Sequence, residues 1–378
     1  MSVLPGSQPP LRVALIGAGI IGRHHAAVMQ RVDGLVLAAI VDTQAAASDA
    51  LADTVVAAGG ERPATFTSLT DALAGGGIDL VVLCTPTSLH VSAAEEALAA
   101  GAHVLVEKPI DVSLPRARRL AAVAQEAAAR GLVCSIVSQH RFDPASVAIA
   151  SAAASGELGR VTSAVASVTW WRSQDYYDSA DWRGTWAVDG GGATMNQGVH
   201  TVDLLLWFLG TPVEVYAETA LLAHERIEVE DVAVATFRFA SGALAVLHAT
   251  TSAYPGLDVH IQVHGTQGSA IVRSDRLEYF HSASRGDTGN QATELVPADQ
   301  LHGADADPDA FVLGHLRQYA DVVDAIRTGR APGVTAQDGL VALAAVRAVY
   351  VSATLHRPVA VADVLSGVYD DVPVTVRQ

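Results

Sequence analysis

Leu11-Arg12-Val13-Ala14-Leu15-Ile16-Gly17-Ala18-Gly19-Ile20-Ile21-Gly22 decides the fold of this 378-residue chain. An apolar run of strand length ends in glycines spaced GxGxxG, and a helical stretch runs from Gly22 to Arg31. The spacing alone is weak; its place between strand and helix gives it meaning. The first glycine permits a tight turn, the second lets a pyrophosphate approach the backbone, and the third allows close helix–strand packing. Phosphates would then sit at the positive end of the helix. The motif assigns dinucleotide binding to Gly17, Gly19, Ile20, Ile21 and Gly22. A second strand, Val36–Asp42, ends on Asp42. A carboxylate there accepts hydrogen bonds from ribose hydroxyls and repels a 2′-phosphate. Thr43 and Gln44 supply no cation, so NAD is expected rather than NADP.

Outward from this stretch, short apolar runs alternate with alanine-rich helical segments. Further strands are expected at Asp79–Cys84, His103–Val106 and Leu132–Val137, with helices through about Ala58, at Ser88–Ala100 and at Ser113–Arg130. Ser113 suits an N-cap, Pro115 the first turn and Gly131 the position past the end. Repeated strand–helix–strand units imply a doubly wound parallel sheet covered on both faces. Beyond Arg141, period-two alternation dominates, in Val161–Trp171, Val213–Thr219, Val232–Phe239, Ala243–Thr250 and Val259–His264. That pattern predicts a large, open, mostly antiparallel sheet. Late helices are expected at Leu313–Arg327 and Gln337–Thr354, and a polar surface loop at Asp287–Asp307. The expected division is a disordered tail (1–10), an NAD-binding Rossmann domain (11–140) and an α+β domain for substrate binding and oligomerisation (141–378), an α/β chain throughout.

Composition narrows the partners. The length suits about two domains at ~100–200 residues each. Half the residues are hydrophobic and 17% are charged, enough apolar matter for sizeable cores. A formal net charge of −16 argues against nucleic acid and anionic membrane surfaces. No secretory pattern opens the chain, and no apolar run is expected to reach the ~18 residues of a membrane span. A cytoplasmic location is therefore expected. Cys84 and Cys134 read as small buried hydrophobes. No metal site is expected, because no histidine stands at ligand spacing from a carboxylate.

The chain holds one lysine and twenty-three arginines, and the lysine is Lys108 in Glu107-Lys108-Pro109. An ammonium can pass a proton; a guanidinium cannot. Proline stiffens the carrier loop. Thr85, Pro86, Leu89 and His90 close the preceding strand at the same sheet edge, where ligands bind in open α/β folds. Asn196 and His200 would share one helix face, with Asp203 in reach. A neutral imidazole there suits a general base. Four of the five tryptophans crowd into Trp170, Trp171, Trp182 and Trp186, interleaved with Arg172, Tyr176, Tyr177 and Arg183. Aromatic faces beside polar groups suit a sugar ring.

Together these motifs resemble the Gfo/Idh/MocA oxidoreductase family from Val13 to about Pro358. The resemblance implies a dinucleotide-binding domain followed by an α+β domain whose open sheet often forms a subunit interface, hence a homodimer or homotetramer. The family's Glu-Lys-Pro lysine, which contacts nicotinamide and substrate, matches Lys108; its usual proton acceptor matches His200. Many members carry aspartate where this chain has Asn196, which speaks against a carboxylate–histidine base pair here. The segments Tyr176–Tyr177, Trp182–Trp186 and Gly190–His200 look similar to the branch oxidising nucleotide sugars at C3. His140–Asp143 matches the crossover into the second domain and puts Arg141 on the cofactor side.

The expectation is an NAD-dependent dehydrogenase acting on a secondary hydroxyl of a sugar, polyol or sugar derivative. His200 would serve as base, Lys108 as polarising and relay group, and Asn196 as orienting group. Arg172, Tyr177 and Trp182 would join these in holding the substrate. The rival readings are an NAD-dependent glycosidase working through transient C3 oxidation, a keto-sugar reductase and a non-catalytic NAD- or sugar-binding regulator.

Overall fold

The computed structural model describes residues 8–286, 289–303 and 310–377. The expected tail therefore lies, up to residue 7, outside the described residues. The chain divides into two compact units. The first takes residues up to Asp111, Arg119–Val137 and Phe311–Gln337; the second takes Val112–Arg118, Ser138–Ala310 and everything from Asp338. The late segment 311–337 thus joins the first unit, which the linear division at residue 140 did not foresee.

The first unit contains six strands: β1 (Leu11–Ile16), β2 (Leu35–Val41), β3 (Ala64–Phe66), β4 (Leu80–Leu83), β5 (His103–Val106) and β6 (Cys134–Ile136). Their order is β3-β2-β1-β4-β5-β6, and every pairing is parallel. The connecting helices are α1 (Ile20–Met29), α2 (Ala45–Ala57), α3 (Leu69–Ala74), α4 (His90–Ala99) and α5 (Leu114–Ala128). Sheet residues Val13, Leu15, Leu80, Val82 and Leu105 pack with Val28 and Met29 of α1. Tyr319 and Val322 complete that core; their helix, Ala310–Thr328, was legible, but not its destination. The chain leaves β1 toward β2 on one side and β4 on the other. Parallel strands bring the loops after β1, β2, β4 and β5 to one edge, and a ligand crevice forms where the order reverses.

The second unit begins its regular structure with α6 (Pro144–Ala154), β7 (Val161–Thr169), α7 (Gln174–Asp178) and α8 (Val199–Leu209). There follow β8 (Pro212–Ala220), β9 (Val232–Phe239), β10 (Leu244–Thr250), β11 (His260–Gly265), β12 (Gly268–Arg273) and β13 (Arg276–Ser282). The first unit's helix becomes α9, and α10 (Ala336–Leu355), β14 (Val359–Ala360) and α11 (Val361–Ser366) end the chain. The eight strands run β13-β12-β11-β7-β10-β9-β8-β14. All pairings are antiparallel except β7 with β10. Alternation places Ala233, Ala235, Phe237 and Phe239 inward. The opposite face shows Val165, Tyr216, Val234, Leu244 and Val246 to solvent.

Helix α10 is long and apolar enough to cross a membrane, contrary to the reading of the sequence, but most of it is buried inside the protein. Its Val346, Ala348, Val349, Tyr350 and Val351 are core residues. The expected loop at 287–307 lies partly outside the described residues. Within them, Gln291, Ala292 and Val296 are buried and two short 3-10 turns form, at Ala292–Glu294 and Ala298–Gln300.

Candidate active site

In the first unit, Gly17 has φ +99°, and a Cβ there would lie 2.6 Å from the Cys84 carbonyl oxygen. At Gly22 a Cβ would fall 1.9 Å from the Gly17 oxygen, so only glycine lets α1 pack against the turn. At Gly19 a Cβ would meet nothing within 4 Å, leaving backbone open to a ligand. Ile20 and Ile21 are exposed beside it. Asp42 is held in place: Oδ2 accepts the Ala18 N–H at 2.9 Å and Oδ1 the Gln44 N–H at 2.9 Å. A carboxylate offers about four lone-pair sites, so acceptor capacity remains for two ribose hydroxyls. Glycine cradle and anchored carboxylate fit an NAD molecule.

Thr85, Pro86 and Leu89 line the same edge, with Leu89 half exposed. His90, expected at the cofactor, is buried. Its Nδ1 lies 2.9 Å from the Pro109 oxygen and Nε2 3.0 Å from the Thr85 oxygen. It clamps two edge loops together, and burial lowers its pKa against the pull of those carbonyls. Glu107 is likewise buried. Oε2 accepts the Lys108 N–H at 2.9 Å, and Oε1 meets His25 Nε2 at 2.8 Å. His25 Nδ1 in turn meets the Tyr319 hydroxyl at 2.6 Å. Burial would raise the Glu107 pKa, but His25 and Lys108 outweigh it and bring it to about 2. Glu107 is therefore an anionic brace for the lysine's backbone. In Val104–Asp111, Lys108 alone is not buried.

The fold also gathers His25, Glu107 and His315, whose ligand atoms lie within 4.8 Å of one another. Sequence spacing could not show such a carboxylate–histidine cluster, because His315 arrives on α9. The hydrogen bonds just described account for its His25–Glu107 contact.

In the second unit, Asn196 and His200 do not share a continuous α-helix. Ala193–Gln197 forms a π-helical turn, and α8 begins only at Val199. Asn196 Nδ2 donates to the Gly191 oxygen at 2.9 Å. Even so, Asn196 and His200 are the two residues of Gly191–His200 that are not buried. The turn is pinned by Glu230, which sequence reasoning missed. Its buried carboxylate accepts N–H groups of Gly192 (2.9 Å) and Thr194 (2.8 Å) and the Tyr350 hydroxyl (3.0 Å). Burial raises its pKa against these donors. An acidic pair, Glu230-Asp231, directly before an apolar alternating run was the available signal.

Arg141, expected on the cofactor side, is buried against two carboxylates. Its Nε and Nη2 donate to Asp203 at 2.8 and 2.6 Å, and Nη1 to Asp338 at 3.1 Å. Asp203 is thereby a structural partner, and Ser138 Oγ donates to it as well. Tyr177, expected at the substrate, is buried, with its hydroxyl 3.0 Å from Thr251 Oγ1; burial pushes its pKa up to about 12. Trp182 is exposed, and Arg172 is half-buried.

Next to His200 stands His140, the first residue of the crossover stretch His140–Asp143. The His140 ring is T-shaped to that of His200, with centroids 5.0 Å apart. Its Nδ1 lies 3.1 Å from both Asp143 and Asp275. Asp275 and Ser274 form the two-residue turn of the β12–β13 hairpin, at φ +66° and +46°. Such turns favour glycine and asparagine.

Comparison with known proteins agrees with these features. The description "Oxidoreductase family, NAD-binding Rossmann fold" matches residues 11–135, and "GFO/IDH/MocA C-terminal domain" matches 147–271. The uncharacterized oxidoreductase YrbE of Bacillus subtilis (strain 168) is 30% identical over 358 residues, 92% of this chain and 95% of its own. The inositol 2-dehydrogenase of Rhizobium meliloti (strain 1021) is 29% identical over 365 residues, covering 93% and 99%. The WlbA dehydrogenase from Bordetella pertussis, solved in complex with NADH and UDP-GlcNAcA, is 31% identical, with a TM-score of 0.78 and coverage of 94% and 99%. This chain belongs to the Gfo/Idh/MocA oxidoreductase family and is one of its NAD-binding enzymes.

Proposed function

We propose that this enzyme oxidises a secondary hydroxyl of a sugar, polyol or sugar derivative with NAD. One observation carries the reading: the chain's single lysine is the one residue of Val104–Asp111 that is not buried, at the carboxyl edge of the NAD-binding sheet. The relatives named inositol 2-dehydrogenase and WlbA dehydrogenase support the substrate class. NAD, when bound along Gly17–Gly22 and Asp42, supplies the hydride acceptor. His200 takes the hydroxyl proton as base. Lys108 donates a hydrogen bond to the reacting oxygen, stabilises its developing negative charge and relays the proton. Asn196 orients the hydroxyl. The exposed apolar face of the second sheet supports assembly as a homodimer or homotetramer.

The test is a panel of sugars, polyols and nucleotide sugars, followed by reduced-nicotinamide absorbance, with Lys108→Arg in parallel. Arginine keeps the charge and removes the exchangeable proton, so turnover should fall at least ~10²-fold, as for a lost acid–base group. Near-normal turnover in the variant defeats the role of Lys108. A wild-type enzyme inert across the whole panel defeats the dehydrogenase reading.

A further inference from the structure

The segment after β7 carries two arginines that no carboxylate pairs with among the described residues. Arg172 Cζ lies 5.0 Å from the Trp170 ring centroid and 5.1 Å from that of Tyr176. Arg183 Cζ lies 4.3 Å from the Tyr176 centroid and 4.6 Å from that of Trp182. Two guanidinium groups thus share one tyrosine ring. Both residues are half-buried, and the Nε of each is buried without a hydrogen-bond partner. Among the described residues neither forms an ion pair, in a chain with forty acidic residues against twenty-four basic ones.

The nearby carboxylates are engaged elsewhere. Asp178 takes Arg226, and Glu228 takes the Trp186 N–H. Asp231 takes the N–H groups of Leu222, Ala223 and His224. Asp189 accepts from the Gly184 N–H. Asp175 and Asp181 are exposed and take neither arginine.

The platform is also fixed. The Arg172 N–H donates to the Thr251 oxygen at 2.8 Å, and its own carbonyl lies 2.9 Å from His224 Nε2. At the other end, Trp186 packs on Tyr350, with centroids 5.1 Å apart, and the Tyr350 hydroxyl donates to Glu230. That same Glu230 pins the turn leading to Asn196 and His200. Aromatic stacking orients a guanidinium and leaves its in-plane N–H fork for a carboxylate or phosphate, which it binds bidentately.

We infer that Arg172 and Arg183 form an anion subsite, and that the substrate carries a carboxylate or phosphate group as well as the hydroxyl that is oxidised. This rests on the dehydrogenase reading for its chemistry, but not for the subsite itself. The two anion sources separate in one experiment. Steady-state oxidation is compared for neutral sugars and polyols, for uronates, and for sugar phosphates with nucleotide sugars, using wild type, Arg172→Met and Arg183→Met. Methionine keeps a flexible apolar stem against the rings and removes the charge.

One anionic class should show a lower KM than its neutral counterpart. Each variant should raise that KM by roughly ten- to a hundred-fold, the loss expected for a charge-assisted hydrogen bond, and raise it more than for the neutral compound. Thermal unfolding supplies a readout without turnover: glucuronate or inorganic diphosphate should raise the wild-type Tm and raise it less in the variants. Neutral sugars oxidised with no anion preference overturn the subsite and leave the dehydrogenase standing. Arginine-dependent anion stabilisation without turnover of any sugar supports the subsite and removes the dehydrogenase. Variants matching wild type in both KM and anion-induced Tm overturn it outright.

Discussion

Replacing Asp203 with alanine should cost the second unit about 3 kcal/mol. The Arg141 and Asp203 side chains are each only 7% exposed, and two N–H donors reach the carboxylate. Removing one partner strands the other as a buried charge, which costs roughly 3–5 kcal/mol. Asp338 stays 3.1 Å from Nη1 and compensates in part, which sets the expectation at the lower end. Urea unfolding followed by tryptophan fluorescence measures this directly. All five tryptophans lie in the second unit, and Trp207 sits under the Arg141 guanidinium at 5.7 Å. The midpoint should fall with the slope unchanged. Adding Arg141→Met should recover much of the loss, because no orphan charge then remains. A cost for Asp203→Ala within the ~1 kcal/mol of a surface pair would refute the reasoning. So would a double variant whose cost equals the sum of the singles.

Gly22→Ala places its Cβ 1.9 Å from a backbone oxygen and should both destabilise the first unit and abolish NAD binding. Gly19→Ala meets no protein atom within 4 Å, so the Tm should hold while the Kd for NAD, by titration calorimetry, rises at least ~10-fold; an unchanged Kd would count against the pyrophosphate assignment. Burial would lower the His140 pKa, but Asp275 and Asp143 outweigh it and push it to about 10. A raised pKa stabilises fully below the ordinary value of 6.5, and that contribution disappears as pH climbs through about 10. Asp275→Asn should therefore lose stability relative to wild type at pH 6, with the gap narrowing above pH 9. NMR should place the wild-type His140 titration well above neutrality, and a titration near 6.5 would sink its pairing with Asp143 and Asp275.

What could be read from the chain was whatever its physics keeps local. The GxGxxG turn, the carboxylate ending β2, the lysine ending β5 and the alternation of β8 to β10 each depend on neighbours a few residues away. Those features carried the parallel sheet, the open second sheet and the preference for NAD. The helix expected to hold Asn196 failed at Gly198, where local spacing gave way to a π-turn pinned by Glu230, more than thirty residues on. Arg141, His90 and Tyr177 have residue types that suit ligands, and nothing local in the chain names their protein partners. Only the folded chain supplied Asp203, the Pro109 carbonyl and Thr251 as their partners. Likewise the sequence alone determined that arginines and aromatics cluster after β7, while the tertiary structure decided that, among the described residues, no carboxylate pairs with Arg172 or Arg183. The division has one cause: backbone periodicity is a short-range property, whereas the partner of a buried charge is whatever distant group the fold brings within hydrogen-bond reach.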